Sequence, residues 1–367
     1  MQKNYSIHFL KFFAIMFVVS AHTKPFIDLS IGSFESKYIF YAFNAFARAT
    51  IPFFFIISGY LLGEKLAFSR APFKLFKRYF LSIAKMFLIW AIFYQIYNIA
   101  VKMVELTISG QPIKKGLITF IFAHFPFNLT EFYYGPSTST TYHLWYLTAV
   151  IWSLVILYFF IKINKVGFLL IGSFVLNLIG VFGQSYSVLL DIGVRTVDAL
   201  FFGLFYVTLG YYLSRNPIDK KLRIKSETLL MLFFFFSLLQ IMEAAVMIVF
   251  FKGYLGEYYI STIPATLCLI LFALKNRQLG KDSIFIKISK RTELIYVIHP
   301  FIISLVYLSL KYLDLESVRS TVLWNILFTP FVFLTSYYTH QPLKKMKMSI
   351  RLKKTKENKE ISSRSVI

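Results

Sequence analysis

Lys11 and His22 close the two ends of the apolar run KFFAIMFVVSAH. Eleven positions make almost three full turns of helix. Both side chains therefore lie on nearly one face, about 16 Å apart along the axis at 1.5 Å per residue. Ionisable groups in a segment this apolar are expensive, and a functional role is the default expectation. An imidazole can take a proton near neutral pH, or carry a transferred group as a transient nucleophile. The blander alternatives are a Lys11 that snorkels to headgroups and a His22 that is merely interfacial. Arg48 falls near the middle of a second run, FYAFNAFARATIPFFFIISGYLL. An arginine there must face a protein interior or a wet cavity. Its guanidinium suits either a structural carboxylate partner or an anionic ligand. Pro52 and Gly59 in the same run are expected to loosen the helix, as happens where a pathway is lined.

Further ionisable groups stand at other depths. His143 and Trp145 open a run at YHLWYL, and His299 precedes Pro300 in ELIYVIHPF. Glu243 is alone in its run, and Arg195 and Asp198 are three apart, a spacing that allows pairing. Such a graded set suits a protein that conducts something across a membrane or does chemistry within it. Soluble-enzyme templates are missing: there is no GxSxG, Walker A, HExxH or GxGxxG motif. The six histidines are not at metal-ligand spacing, so no metal site and no bound cofactor are expected. Asn128-Leu129-Thr130 matches a glycosylation sequon, a short and nonspecific pattern.

The elements that must hold these groups are membrane helices. Of 367 residues 57% are hydrophobic and only 16% charged, with 43 Phe, too much apolar surface for one water-soluble core. Ten spans are expected, at roughly 7–23, 39–62, 79–101, 142–161, 166–184, 194–214, 228–251, 258–274, 293–311 and 320–340. With the N-terminus inside, the inner segments hold 28 Lys/Arg and the outer segments 8. That bias obeys the positive-inside rule and places both termini in the cytoplasm. The net charge of +23 therefore points to anionic lipid rather than nucleic acid. Val19-Ser20-Ala21 looks like a signal-peptidase site, but Lys11 would interrupt the hydrophobic region of a signal peptide. The outer segment 102–141 contains GLITFIFAHF, which could lie at the interface. Residues 1–343 form one membrane domain, followed by a basic, disordered tail over 344–367. Cys268 is the single cysteine, so no intramolecular disulfide can form.

In order along the chain, FLKFFAIMFVVSAH, RATIPFFFIISGYLL, YHLWYL and LIYVIHPF resemble the membrane-bound acyltransferase family 3. That family includes bacterial O-acetyltransferases of surface polysaccharides, and the resemblance covers roughly residues 5–340. It implies transfer of an acyl group, usually acetyl, from cytoplasmic acyl-CoA to a hydroxyl of a cell-envelope glycan or lipid-linked sugar, in the bacterial plasma membrane. The family's first span carries an arginine, ten residues and a histidine. Here His22 matches the histidine and Lys11 replaces the arginine, keeping the charge and losing the bidentate fork. Arg48 matches the basic residue before the second motif. His22 is then the base or transient acyl carrier. Arg48 and Lys11 either stabilise the oxyanion or hold the donor's phosphates. His143, Trp145, Glu243 and His299 become candidates for substrate binding, and Tyr142 and Tyr146 could stack on a sugar, though an aromatic belt gives the same pattern. The competing readings are a transporter or exporter of a glycan or small polar solute, and a noncatalytic subunit of an assembly complex.

Overall fold

The computed structural model describes residues 4–31, 34–123, 129–136, 138, 140–218 and 222–339. The tail expected from residue 344 and Asn128 of the sequon lie outside these residues. Among the described residues the regular secondary structure is helical apart from a two-residue antiparallel pairing of Ser30–Ile31 with Phe34–Glu35.

Helix α1 (Tyr5–Thr23) starts at Asn4, whose side chain accepts from the Ile7 amide at 3.2 Å, a standard N-cap. It stops at Lys24, which takes the left-handed conformation. The second apolar run forms two helices, α2 (Lys37–Ala47) and α3 (Thr50–Ala67). The break is at Arg48 and Ala49 and not at Pro52, because a proline in the first turn removes no helix hydrogen bond. Gln240 holds the break: its amide donates to the Ala45 carbonyl, and Thr262 donates to its oxygen. Gly59 also departs from expectation. It does not loosen α3 but lets it approach a neighbour, as described below.

Helix α4 (Pro72–Ile108) has 37 residues, about 55 Å of helix, well beyond a hydrocarbon core of about 30 Å. It overshoots the expected 79–101 at both ends because Pro72 presets the first turn and neither flank contains a breaker. Its buried residues Ala91, Tyr94 and Asn98 make one stripe, while Leu88, Ile89, Ile92 and Ile96 are exposed, a face suited to lipid. Helix α5 (Ile113–Ala123), within the stretch expected at the interface, has no buried residue and meets α4 near Leu106. After α6 (Leu129–Tyr134), a 3-10 turn over Tyr142–Leu144 feeds α7 (Trp145–Lys162). There follow α8 (Val166–Phe182), a π turn at Ala199–Gly203 leading into α9 (Leu204–Arg215), α10 (Ser226–Val249) and α11 (Thr262–Lys275). The short α12 (Ile284–Ser289), α13 (Thr292–Tyr312) and α14 (Val322–Tyr338) complete the described chain.

Among the described residues six helical stretches are long and apolar enough to cross a bilayer: 5–23, 37–67, 72–108, 142–162, 226–249 and 292–312. The apolar helices α8, α11 and α14 are shorter, at 17, 14 and 17 residues. The chain is a multi-pass, all-helical membrane protein.

The closest helix packing joins α3 to α9. A Cβ on Gly59 would run into the Val207 carbonyl, and one on Gly210 into the Ile56 carbonyl. Small residues that let backbones touch are how membrane helices associate without a hydrophobic driving force. Two apolar clusters result. One gathers Phe53, Phe55 and Ile56 with residues of α7, α9 and α11; the other gathers Ile15, Val19 and Tyr94 with residues of α13 and α14. Ile51, Phe54 and Tyr146 pack against both and mark the seam.

Candidate active site

A cavity of about 130 Å³ occupies that seam. Lys11, Glu293, Tyr79 and Ser58 stand among its walls together with His22, His143, Trp145 and Tyr146. Between the charged residues and the histidines the walls are apolar, with Ile15, Val18, Phe54 and Leu147. Lys11 and His22 share it because eleven positions return α1 to the same face, as the sequence requires. Glu293, on the first turn of α13, is within electrostatic reach of Lys11 and Tyr79. It is exposed, so the cavity opens at the Lys11 end.

Three histidines from three helical elements meet at the other end. The His22 and His299 rings are 5.0 Å apart, and those of His299 and His143 5.7 Å apart. His299 is fully buried and His143 nearly so. His143 sits on the 3-10 turn before α7, and that turn is fixed from two sides. Thr140 donates to Asn98 of α4 at 2.6 Å, and the Tyr296 hydroxyl of α13 donates to the His143 carbonyl.

His299 owes its position to Pro300. A proline inside a helix removes the N–H that would bond the carbonyl four residues back, here that of Tyr296. Tyr94 fills the loosened ladder one step on: its hydroxyl donates to the Val297 carbonyl at 2.8 Å and accepts from the Phe301 amide at 3.2 Å. The His299 Nδ1 lies 3.1 Å from the Ile295 carbonyl, with the Tyr296 carbonyl also in range.

The remaining expected residues stand apart from the cavity walls. Arg48, at the α2–α3 break, pairs with Glu257 from the segment after α10. Both are within electrostatic reach of His22. Arg48 is thus a paired arginine beside the site. Glu243 does not reach the cavity: it accepts from the Ser261 hydroxyl at 2.7 Å and the Ser261 amide at 3.3 Å, at the start of α11. A carboxylate stabilises that helix N-terminus, and this is the role the structure shows for Glu243. Asp198 caps the π turn through the Phe201 amide at 2.8 Å and accepts from the Tyr133 hydroxyl at 3.0 Å. Arg195 lies over the rings of Tyr134 and Tyr142.

A family model described as an acyltransferase domain, acyltransferase family 3, matches residues 4–340. The chain belongs to acyltransferase family 3. The four motifs that carry the resemblance fall on α1, on the α2–α3 break, on the turn into α7 and on α13. In this acyltransferase domain they converge on one cavity and on His299 behind its wall. Two curated relatives are both named amino-acid racemase, from Enterococcus faecalis. One is 27% identical over 384 residues, covering 98% of this chain and 49% of its own length. The other is 27% identical over 237 residues, covering 59% of this chain and 29% of its own. The chain spans about half the length or less of the curated relatives it matches. No solved structure matches.

Glu293, Tyr94, Tyr296, Tyr79 and Ser58 escaped the sequence reading. Only Glu293 left a trace there, as a carboxylate at the start of an apolar run.

Proposed function

We propose that this acyltransferase domain moves an acyl group, acetyl in the simplest case, from cytoplasmic acyl-CoA to a hydroxyl of a cell-envelope glycan or lipid-linked sugar. The observation that carries the reading is the cavity that joins Lys11 and Glu293 at an open end to His22 and His143 at the other. The anionic donor enters beside Lys11, and its thioester reaches the His22 end through the apolar middle. His22 takes the acceptor's hydroxyl proton as the oxygen attacks the thioester carbonyl, and CoA leaves as the thiol once reprotonated. Trp145 and Tyr146 offer ring faces to the acceptor. Arg48, paired with Glu257, sets the field at His22 rather than holding a ligand. In this reading all ten apolar segments cross a bacterial plasma membrane, residues 1–343 act as one unit, and both termini are cytoplasmic, as the charge bias favours.

Opposite charges at one end of a membrane cavity also suit a carrier of a small polar solute. The racemase name belongs to relatives more than twice as long as the segment they share with this chain, and racemisation is not proposed here. One experiment separates transfer from carriage: CoA release from acetyl-CoA by the purified protein in liposomes, with and without envelope glycan, for the native chain and His22→Ala. Release that vanishes in the variant supports transfer. No release with glycan present overturns transfer and favours carriage, and release indifferent to His22 overturns His22 as the base.

A further inference from the structure

We propose that His299 is a positioning residue for His22: it accepts a hydrogen bond from the His22 ring and fixes which nitrogen of His22 carries the proton. The inference rests on the reading of His22 as the base, and it comes from the broken ladder of α13. A carbonyl oxygen can only accept. The His299 Nδ1, 3.1 Å from the Ile295 carbonyl, therefore carries a hydrogen and donates it. In the neutral ring the other nitrogen, Nε2, is then a lone pair, an acceptor and nothing else. That Nε2 is buried and has no hydrogen-bond partner in the protein. A buried acceptor left unmade is costly, so its neighbour matters.

The nearest ring is His22, with centroids 5.0 Å apart. The rings are tilted at 53°, and a turn of the His22 ring that points one of its nitrogens at His299 brings nitrogen to nitrogen at about 3 Å, hydrogen-bond distance. His143 is farther, at 5.7 Å. A donor at His22 that points to His299 leaves the opposite nitrogen of His22 free to take a proton. A base oriented by a third group is the logic of a catalytic triad, here with an imidazole in place of the carboxylate.

Pro300 and Tyr94 make the arrangement rigid. Without the proline, the Tyr296 carbonyl would take a helix N–H and Tyr94 would have no gap to bridge. The gap in the ladder thus leaves one nitrogen of His299 on the carbonyls and the other free for His22.

The test is nitrogen NMR of the full chain labelled with 15N-histidine in nanodiscs, with no ligand added. Signals are assigned from those lost in His22→Asn and His299→Leu. We expect His299 to carry its proton on Nδ1, the less common form of a neutral imidazole, and His22 to show a single tautomer. His299→Leu should give His22 a mixture of tautomers. His299→Gln, whose amide oxygen can stand where Nε2 stood, should restore the single form. In the liposome assay kcat should fall at least about tenfold in the leucine variant, with KM for acetyl-CoA unchanged, and recover in part with glutamine. A proton on Nε2 of His299, or a His22 spectrum indifferent to His299→Leu, overturns the proposal. The first of these is read on the native protein, so it stands even where the variants fail to fold. Fixed tautomers in a protein that releases no CoA support the pairing and overturn the transferase reading. CoA release with an unmoved His22 spectrum overturns the pairing alone.

Discussion

Lys11 presents a point charge where the family's pattern has an arginine. An ammonium binds an anion without the fork that fixes its orientation. Lys11→Arg is therefore expected to keep or raise acetyl-CoA turnover, and Lys11→Met to lower kcat/KM at least about tenfold, read as CoA release. Loss in the arginine variant with retention in the methionine variant would remove Lys11 from donor binding. Glu293 opposes Lys11 at the open end, where the phosphates of the proposed donor would pass. Glu293→Gln should lower KM for acetyl-CoA by about fivefold at low salt, the size of a roughly 1 kcal/mol charge term in water-rich surroundings. The gain should shrink as salt is raised. A KM that rises would show that Glu293 holds the donor. The histidines and Lys11 were legible in the sequence because ionisable groups in apolar runs are conspicuous one at a time. Glu293, Tyr94 and Tyr296 were not, since their roles exist only between helices. Glu243 is equally conspicuous, but its partner Ser261 comes from another element and its place away from the cavity could not be read from the sequence.

Apolar run length gives helices and their approximate places, and it did so for the described segments. It says little of what interrupts or extends them. The α2–α3 break depends on Gln240 from α10, and the overshoot of α4 on helix-forming flanks that no apolar count registers. Glycines show the same division. Gly59 and Gly172 both sit in apolar helices, but a Cβ at Gly59 meets the Val207 carbonyl and one at Gly172 meets nothing within 4 Å. Gly59→Ala should therefore destabilise the protein by about 1–3 kcal/mol through overpacking. Gly172→Ala should leave it unchanged or gain a few tenths from helix propensity. Thermal unfolding in detergent checks both, and equal shifts would deny the close α3–α9 contact. At the gap in the α13 ladder, Tyr94→Phe removes a hydroxyl that both donates and accepts in a buried site. A loss of about 1–3 kcal/mol is expected in the same assay.

For the molecule as a whole, the side to which the cavity opens decides what can enter it. The Lys11 end is where Glu293 is exposed, and the basic stretch 63–78 follows α3 and leads into α4. On the positive-inside rule that stretch, and with it the mouth beside Lys11, is expected on the cytoplasmic side, where the proposed acyl-CoA donor would be met. The far end of α4 and all of α5 then lie outside. The chain is convenient for a direct test because Cys268 is its single cysteine and is buried. In a Cys268→Ala background, Arg70→Cys and Lys114→Cys place thiols at two exposed positions beyond opposite ends of the apolar part of α4. An impermeant maleimide added to intact spheroplasts should label position 114 and not 70, and inside-out vesicles should give the reverse. If both label from one side, α4 does not cross and the charge bias has been misapplied. If both label from the sides opposite to those expected, the mouth opens outward. The acyl donor would then have to come from the outer face, where acyl-CoA is absent, and a carrier of polar solutes would become the better reading of the same cavity.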